Sequence, residues 1–377
     1  MRKLKVGVIC YPTLGGSGVV ATELGLKMAE RGHEMHYITS SRPFRIPDVH
    51  PNIQFHEVKI DGYAVFKYPP YDIALANRIA QVIVEEKLDL LHVHYAVPHA
   101  ISAALAKDMA GSTIGVITTL HGTDVTILGQ DPALRNTVRY GIEKSNCATA
   151  VSESLRQDTI ALIDPTKEIK TIYNFIDEER YRPVNPGTLK QDLGIREEEK
   201  VLIHISNFRS VKRIGDVIDS FKLIRQQVEA KLVLVGIGPE QEEMMAKAKE
   251  NGLDADIIFT GKRDDLPELL AISDLMLLLS EKEAFGLVLL EGFACGVPAI
   301  GTNIGGIPEV IEDGVNGYLV KLGDIKAVAE KALSLLQEPS VHKQFQQAAI
   351  HTVRDKFNSE AIVIAYEKIY YEVAECV

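Results

Sequence analysis

The sequence predicts an α/β protein made of two doubly wound, Rossmann-like domains, and three observations carry that expectation. Short runs rich in valine, isoleucine and leucine alternate with segments of helical periodicity along both halves. Such alternation implies parallel sheets joined by right-handed crossovers. It runs twice, interrupted by "IKTIYNFIDEERYRPVNPG", where Pro183, Pro186 and Gly187 break both periods. A chain of 377 residues is also longer than one average core supports. The halves share a pattern without an evident sequence repeat, so two similar sheets facing each other across a cleft are expected.

The elements follow in order. "LKVGVICY", "EMHYITS", "DLLHVHY", "GVITTLHG" and "CATAVS" read as the strands of the first half. The helices between them are "VVATELGLKMAERGH", "DIALANRIAQVIVEEKL", "HAISAALAKDMAG" and "LRNTVRYGIEKS". In the second half "KVLIHIS", "KLVLVGIG", "DIIFTGK", "DLMLLLS" and "PAIGT" are strands. They alternate with the helices "RIGDVIDSFKLIRQQV", "PEQEEMMAKAKENG", "DDLPELLAIS" and "AFGLVLLEGFACG". A last helix, "SEAIVIAYEKIYYEVAEC", has no strand after it. The expected division is residues 1–168 for the first domain and 169–358 for the second, with a helix over about 359–377 crossing back to the first.

Composition narrows the function. The net charge of −11 argues against nucleic acid as the main partner. Cys10, Cys147, Cys295 and Cys376 form no CxxC pair, so free thiols in a reducing compartment are expected and a structural zinc site is not. The apolar start is cut short by Pro12 and glycines, and no apolar segment is long enough to span a bilayer. A cytoplasmic protein is the expectation.

The chemistry-bearing residues cluster where strands end. "YPTLGGSGVVATELG" puts Gly15, Gly16 and Ser17 between the first strand and helix, where backbone N–H groups attract phosphate or carboxylate. A tight turn explains the glycines equally well. "ISNFRSVKRIGD" sets Asn207, Arg209, Lys212 and Arg213 after a strand of the second half, the edge at which open α/β sheets bind ligands. A solvated charge cluster is the alternative, with Lys212 alone pointing inward. Gly236 and Gly238, then Gly305 and Gly306, mark two further strand exits. His94, Tyr95, His99, His121 and Asp124 lie at or just after strand ends without metal-binding helix spacing. No GxSxG elbow is present, which weighs against hydrolases.

"SEKEAFGLVLLEGFACGVPAIGT" holds two acids, Glu283 and Glu291, around an apolar run. On a continuous helix, eight steps of about 100° would set them about 80° apart. A strand, an exit loop and a helix opening near Gly286 fit better. Glu283 then sits at the strand's carboxyl edge and Glu291 one to two turns into the helix. The helix N-terminus between them offers free N–H groups to phosphates, and the acids can accept hydroxyl hydrogens: a nucleotide-sugar site.

E-x7-E followed by "GFACGVPAIGTNIGGIPEVIEDGVNGYLV" resembles the hallmark of retaining glycosyltransferases of family 4, and the GGSG loop, Lys212 and "ATAVSESL" extend the likeness over essentially the whole chain. The resemblance implies the GT-B fold. It implies donor contacts from Gly15, Gly16, Asn207, Arg209, Lys212, Gly236, Arg263, Phe285, Gly286 and Leu287. Glu291 would hold the ribose, Glu283 a sugar hydroxyl, and Lys212 the diphosphate, with His121 beside the donor sugar. Glu283, His121 and Lys212 would be the catalytic residues. The family often has an arginine where this chain has Asn207, and Arg209 would substitute. Acceptor contacts would come from Ser17, Lys67, Tyr95, Thr119, Arg135 or Arg139, and Asn174.

The likeness is closest in "GVICYPTLGGSGVVATELG", "LHVHYAVPHA" and "TTLHGTDVTILG". It implies UDP-GlcNAc as donor and the hydroxyl of L-malate as acceptor, a first step toward bacillithiol, with no metal or other cofactor. It leaves room for a homodimer. Two other readings are a related transferase acting on a sugar or inositol phosphate, and a non-catalytic nucleotide-binding module. A lipid acceptor would call for a basic amphipathic helix in the first domain, and none is read, so no stable membrane contact is expected.

Overall fold

The computed structural model describes residues 2–12, 15–60 and 70–376 of the chain. It divides into two compact units, Met1–Asn174 with Ser359–Val377, and Phe175–Asn358.

Unit 1 holds a seven-stranded sheet of β1 (Lys5–Ile9), β2 (Glu34–Thr39), β3 (Ile53–Glu57), β4 (Leu90–His94), β5 (Gly115–Leu120), β6 (Cys147–Ala150) and β7 (Ile169–Thr171). The order is β3-β2-β1-β4-β5-β6-β7, and every pairing is parallel. β4 and β5 are buried along their whole length, the reason they read as near-continuous apolar runs. Helices Tyr71–Glu86 and Ile101–Ala110 cover one face through Leu75, Ile79, Ile83, Ala103 and Ala106.

Unit 2 holds β8 (Lys200–Ile205), β9 (Ala230–Val235), β10 (Ile257–Gly261), β11 (Leu275–Leu278), β12 (Ala299–Thr302) and β13 (Gly317–Val320) in the order β10-β9-β8-β11-β12-β13, again parallel. Its core joins Leu202, Leu232, Leu234, Leu275 and Leu277 to Val217, Phe221 and Ile224 of helix Ile214–Arg225. In each sheet the order reverses beside the first strand, between β1 and β4 and between β8 and β11. Ligands of doubly wound sheets bind at the carboxyl ends of strands at such a switch point.

Three strands, β3, β7 and β13, are not anticipated by the sequence reading, nor are helices Glu153–Ile163, Ile325–Leu336 and Pro339–Lys356. All three strands lie at sheet edges and are at most five residues long. They exist because a neighbour offers an unpaired hydrogen-bonding edge, which local pattern does not show. Because β7 pairs with β6, the first unit runs to Asn174 and not to 168. The proline-rich segment expected to be a linker lies inside unit 2. The last helix, Ser359–Glu375, belongs to unit 1, tied there by Arg31 to Glu367 and by His33 Nε2 to Glu367 Oε1 at 2.9 Å.

Candidate active site

In unit 2 the residues after β8 and β11 meet at the switch point. Lys212 closes a short 3₁₀ turn, Ser210–Lys212, and Glu283 lies in the exit loop of β11. Glu281 N donates to Val211 O at 2.8 Å, which lays one loop against the other. The Lys212 ammonium then reaches Glu283 Oε2 at 2.6 Å, with the two side chains 17% and 16% exposed. The neighbouring cations divide: Arg213 Nε donates to Asp216 Oδ2 at 2.7 Å, while Arg209 and Asn207 are exposed. Lys212 is thus the cation of this cluster that the fold turns toward Glu283.

Gly286, at φ 89°, opens helix Leu287–Ala294, and no side chain caps that N-terminus. Leu287 is its first residue, and Glu291, 8% exposed, stands one turn further on. Phe285 packs its ring against Phe357 at 5.5 Å, so the part of it left for a ligand is backbone. The glycines at the strand exits also carry close backbone approaches. A Cβ on Gly236 would lie 1.8 Å from Ser206 O, and one on Gly238 2.1 Å from Asn207 O. On Gly305 it would lie 2.1 Å from Glu283 O, and on Gly306 2.3 Å from Ala284 O. They are glycines so that the loops carrying Asn207 and Glu283 can lie on them. Arg263 is held by Asp265 through Nε at 2.7 Å, a contact that keeps the Asp265 carboxyl below its usual range.

In unit 1 the loops after β1 and β4 meet in the same way. Gly15 and Gly16 begin helix Gly16–Glu30, which no side chain caps, and among the described residues a Cβ on Gly16 would find nothing within 4 Å. Tyr95, whose φ of 85° is uncommon outside glycine, donates from Oη to Ser17 Oγ at 2.8 Å. Behind them lies a histidine stack. His92 and His94 sit two apart on β4 and so share a face, with ring centroids 4.5 Å apart; His94 to His121 is 5.1 Å. Burial pushes His92 and His121 down to about 3 and His99 to about 4, and lowers His94 as well. All four are neutral at pH 7. Asp124 anchors the turn after β5, accepting from Ala96 N at 3.1 Å, Gly122 N at 3.0 Å and His121 N at 3.4 Å. Burial raises its carboxyl to about 6 against the pull of those donors.

Not every expected acceptor contact is brought to this place. Thr119 is fully buried, and its hydroxyl is 2.8 Å from both His92 Nε2 and Thr149 Oγ1. Its side chain points inward on a central strand and supports the stack. Arg135 Nε donates to Gly129 O at 3.1 Å, near the turn that carries His121, whereas Arg139 Nε donates to Ile163 O at the end of another helix. Asn174 is buried at the end of unit 1. Lys67 lies outside the described residues. The reading also missed His92, Thr149, Tyr366 and Tyr370. Tyr370 Oη lies 2.8 Å from His92 Nδ1, and Tyr366 Oη 3.4 Å from Thr119 Oγ1. The signal was there in "HVH" and in two tyrosines four apart on the last helix.

Taken singly, unit 2 presents a lysine, two carboxylates and an uncapped helix N-terminus, a set able to hold phosphates and vicinal hydroxyls. Unit 1 presents an uncapped helix start and neutral hydrogen-bonding side chains. Family models match accordingly: glycosyltransferase family 4 over residues 14–180 and glycosyl transferases group 1 over residues 187–352. The chain is 56% identical over 371 residues to N-acetyl-alpha-D-glucosaminyl L-malate synthase of Bacillus anthracis, covering 98% of this chain and 97% of that protein. Among solved structures, sucrose-phosphate synthase of Thermosynechococcus elongatus aligns with a TM-score of 0.85 at 18% identity over 100% of both chains. HepE of Anabaena, solved with UDP and glucose, aligns with a TM-score of 0.81 at 20% identity, covering 97% of this chain and 99% of that one. Those two likenesses speak for the GT-B fold; the family models and the 56% identical relative show the family, and the chain belongs to glycosyltransferase family 4.

Proposed function

We propose that this transferase moves N-acetylglucosamine from UDP-GlcNAc to the hydroxyl of L-malate with retention of anomeric configuration, a first step toward bacillithiol. The observation that carries the donor half is the Lys212–Glu283 pair at the switch point of unit 2, beside an uncapped helix N-terminus. Identity of 56% over nearly the full chain supports the choice of sugar and acceptor. Glu291 would take the ribose hydroxyls, Glu283 a hydroxyl of the sugar, and Lys212 with the N–H groups of Leu287 and Val288 the diphosphate. Ser17, Tyr95 and Arg135 of unit 1 are the candidates for the acceptor.

The bond from the anomeric carbon to the β-phosphate oxygen breaks as the malate oxygen attacks from the same face. The malate proton passes to the leaving phosphate oxygen, and UDP departs. Positioning and charge stabilisation supply the rate, with no covalent sugar on Glu283. Because a lysine and backbone amides neutralise the diphosphate, we propose that no metal is required. Free cysteines and the want of any helix long and apolar enough to cross a membrane, among the described residues, support a cytoplasmic place. UDP release measured with UDP-GlcNAc and L-malate in EDTA tests the reading. Turnover only with magnesium would overturn the metal-free step, and a covalent sugar trapped on Glu283 by a slow fluorinated donor would overturn the mechanism.

A further inference from the structure

We propose that His94 is a positioning residue that holds His121 in the tautomer with its proton on Nδ1, so that His121 offers a neutral N–H donor to an oxygen of the bound substrates. The inference rests on the transferase reading above. His94 Nδ1 and His121 Nε2 are 2.8 Å apart, so one of them carries the shared proton. The other nitrogen of His94, Nε2, is buried with no partner.

That orphan decides the direction. If His121 Nε2 donated, neutral His94 would carry its own proton on Nε2, leaving an unpaired N–H in the interior. Orphaned buried N–H groups are rare and costly, more so than a bare acceptor nitrogen. With the proton on His94 Nδ1, His94 donates to His121 and only a lone pair is left without a partner. A doubly protonated His94 is worse, since it restores the orphan N–H and buries a charge between His92 and His121. His99 follows the same rule: its Nδ1 must donate to the His94 carbonyl, and its Nε2 is likewise bare and buried.

Once His94 donates, the proton of neutral His121 belongs on Nδ1. His121 is only partly buried, and its Nδ1 meets no partner among the described residues. It follows Thr119 and Leu120 out of β5 into the turn fixed by Asp124, which receives the backbone N–H groups of His121 and Gly122. His121 therefore acts as a hydrogen-bond donor at Nδ1 and not as a base there. His94 acts through it, buried and out of reach of substrate.

Nitrogen-15 spectra of the full-length protein labelled at histidine read the tautomer directly. The expected result is a protonated Nδ1 and a bare Nε2 on His121, identified by loss of its signals in His121→Ala. His94→Phe should mix the two tautomers and lower kcat on the order of tenfold to a hundredfold, with KM changed by less than about twofold. His94→Asn, whose amide can stand in for the Nδ1–H donor, should recover most of both. A wild-type spectrum with His121 protonated on Nε2 would overturn the proposal, as would a His94→Phe enzyme with unchanged tautomer and kcat. Should no UDP-sugar turn over at all, the transferase reading fails, while the spectrum, which needs no turnover, still decides the tautomer.

Discussion

The two switch points are built on the same strand order and filled with opposite chemistry. In unit 2, Lys212 and Glu283 meet as full charges, each about one-sixth exposed. In unit 1, Tyr95 meets Ser17 as neutral hydroxyls, backed by histidines that burial keeps uncharged. The loops after the first strand differ, and so does what lies behind them. Charge persists where water still reaches the pair, and where the sheet's own side chains are polar and buried, neutrality is the cheaper state. The same strand order thus presents a charged pair at one switch point and neutral hydroxyls at the other.

The largest test of that contrast is pH. In unit 1 burial depresses His36, His92, His99 and His121 to about 4, 3, 4 and 3, and lowers His56 and His94; in unit 2 it depresses His204 to about 4. Below the unfolded value of 6.5 the unfolded chain takes up protons that the folded one refuses, so stability falls with pH through that window. Those brought down to about 3 or 4, His36, His92, His99, His121 and His204, cost about 2 kcal/mol each by pH 5. Asp124 runs the other way: its raised carboxyl holds a proton between about 4 and 6 that the unfolded chain has released, which adds stability as pH falls. One carboxyl does not offset the histidines. Hydrogen exchange should show peptides of β4 and β5 losing protection at a higher pH than those of β8 and β9. Loss in the reverse order would break the contrast.

A smaller effect sharpens the charged side. Lys212→Ala should weaken UDP binding by about 1.5–3 kcal/mol, the worth of a charge-assisted contact, while Tyr95→Phe leaves UDP affinity unchanged. Calorimetric titration with UDP checks both, and equal losses would mean that the nucleotide does not distinguish the two sheets.

Smallest is a pair of glycine substitutions. A Cβ on Gly306 would press on Ala284 O at 2.3 Å and Phe285 Cα at 2.7 Å, so Gly306→Ala should cost about 1–3 kcal/mol and displace Glu283. Gly16→Ala meets nothing within 4 Å among the described residues and should stay within about 0.5 kcal/mol of the parent. Thermal unfolding of the two variants decides; a costly Gly16→Ala would show a constraint at that helix start beyond its visible surroundings.

Much of the candidate site was legible because its residues lie where one local period gives way to another. Glu283, Lys212, Gly16, Tyr95 and His121 all follow strands that their own apolar runs announce. What was not legible was the use each is put to. Thr119 looked available because it ends a strand, yet its side chain faces His92 and Thr149. At Gly236, Gly305 and Gly306 nothing local shows that neighbouring backbone occupies the space a Cβ would need.

Two parallel α/β units, most of their longer helices and the loops that carry the chemistry are properties of the sequence alone. Those properties follow from periodicity and turn residues within some fifteen positions, where neighbours in sequence are neighbours in space. Only the tertiary structure decided the pairings. Lys212 meets Glu283 across 71 positions, Tyr95 meets Ser17 across 78, and His92 meets Tyr370 across 278. It also decided the short edge strands, which an adjacent strand completes. Such contacts depend on which strands become neighbours and how deeply each side chain is buried, and no local window contains either.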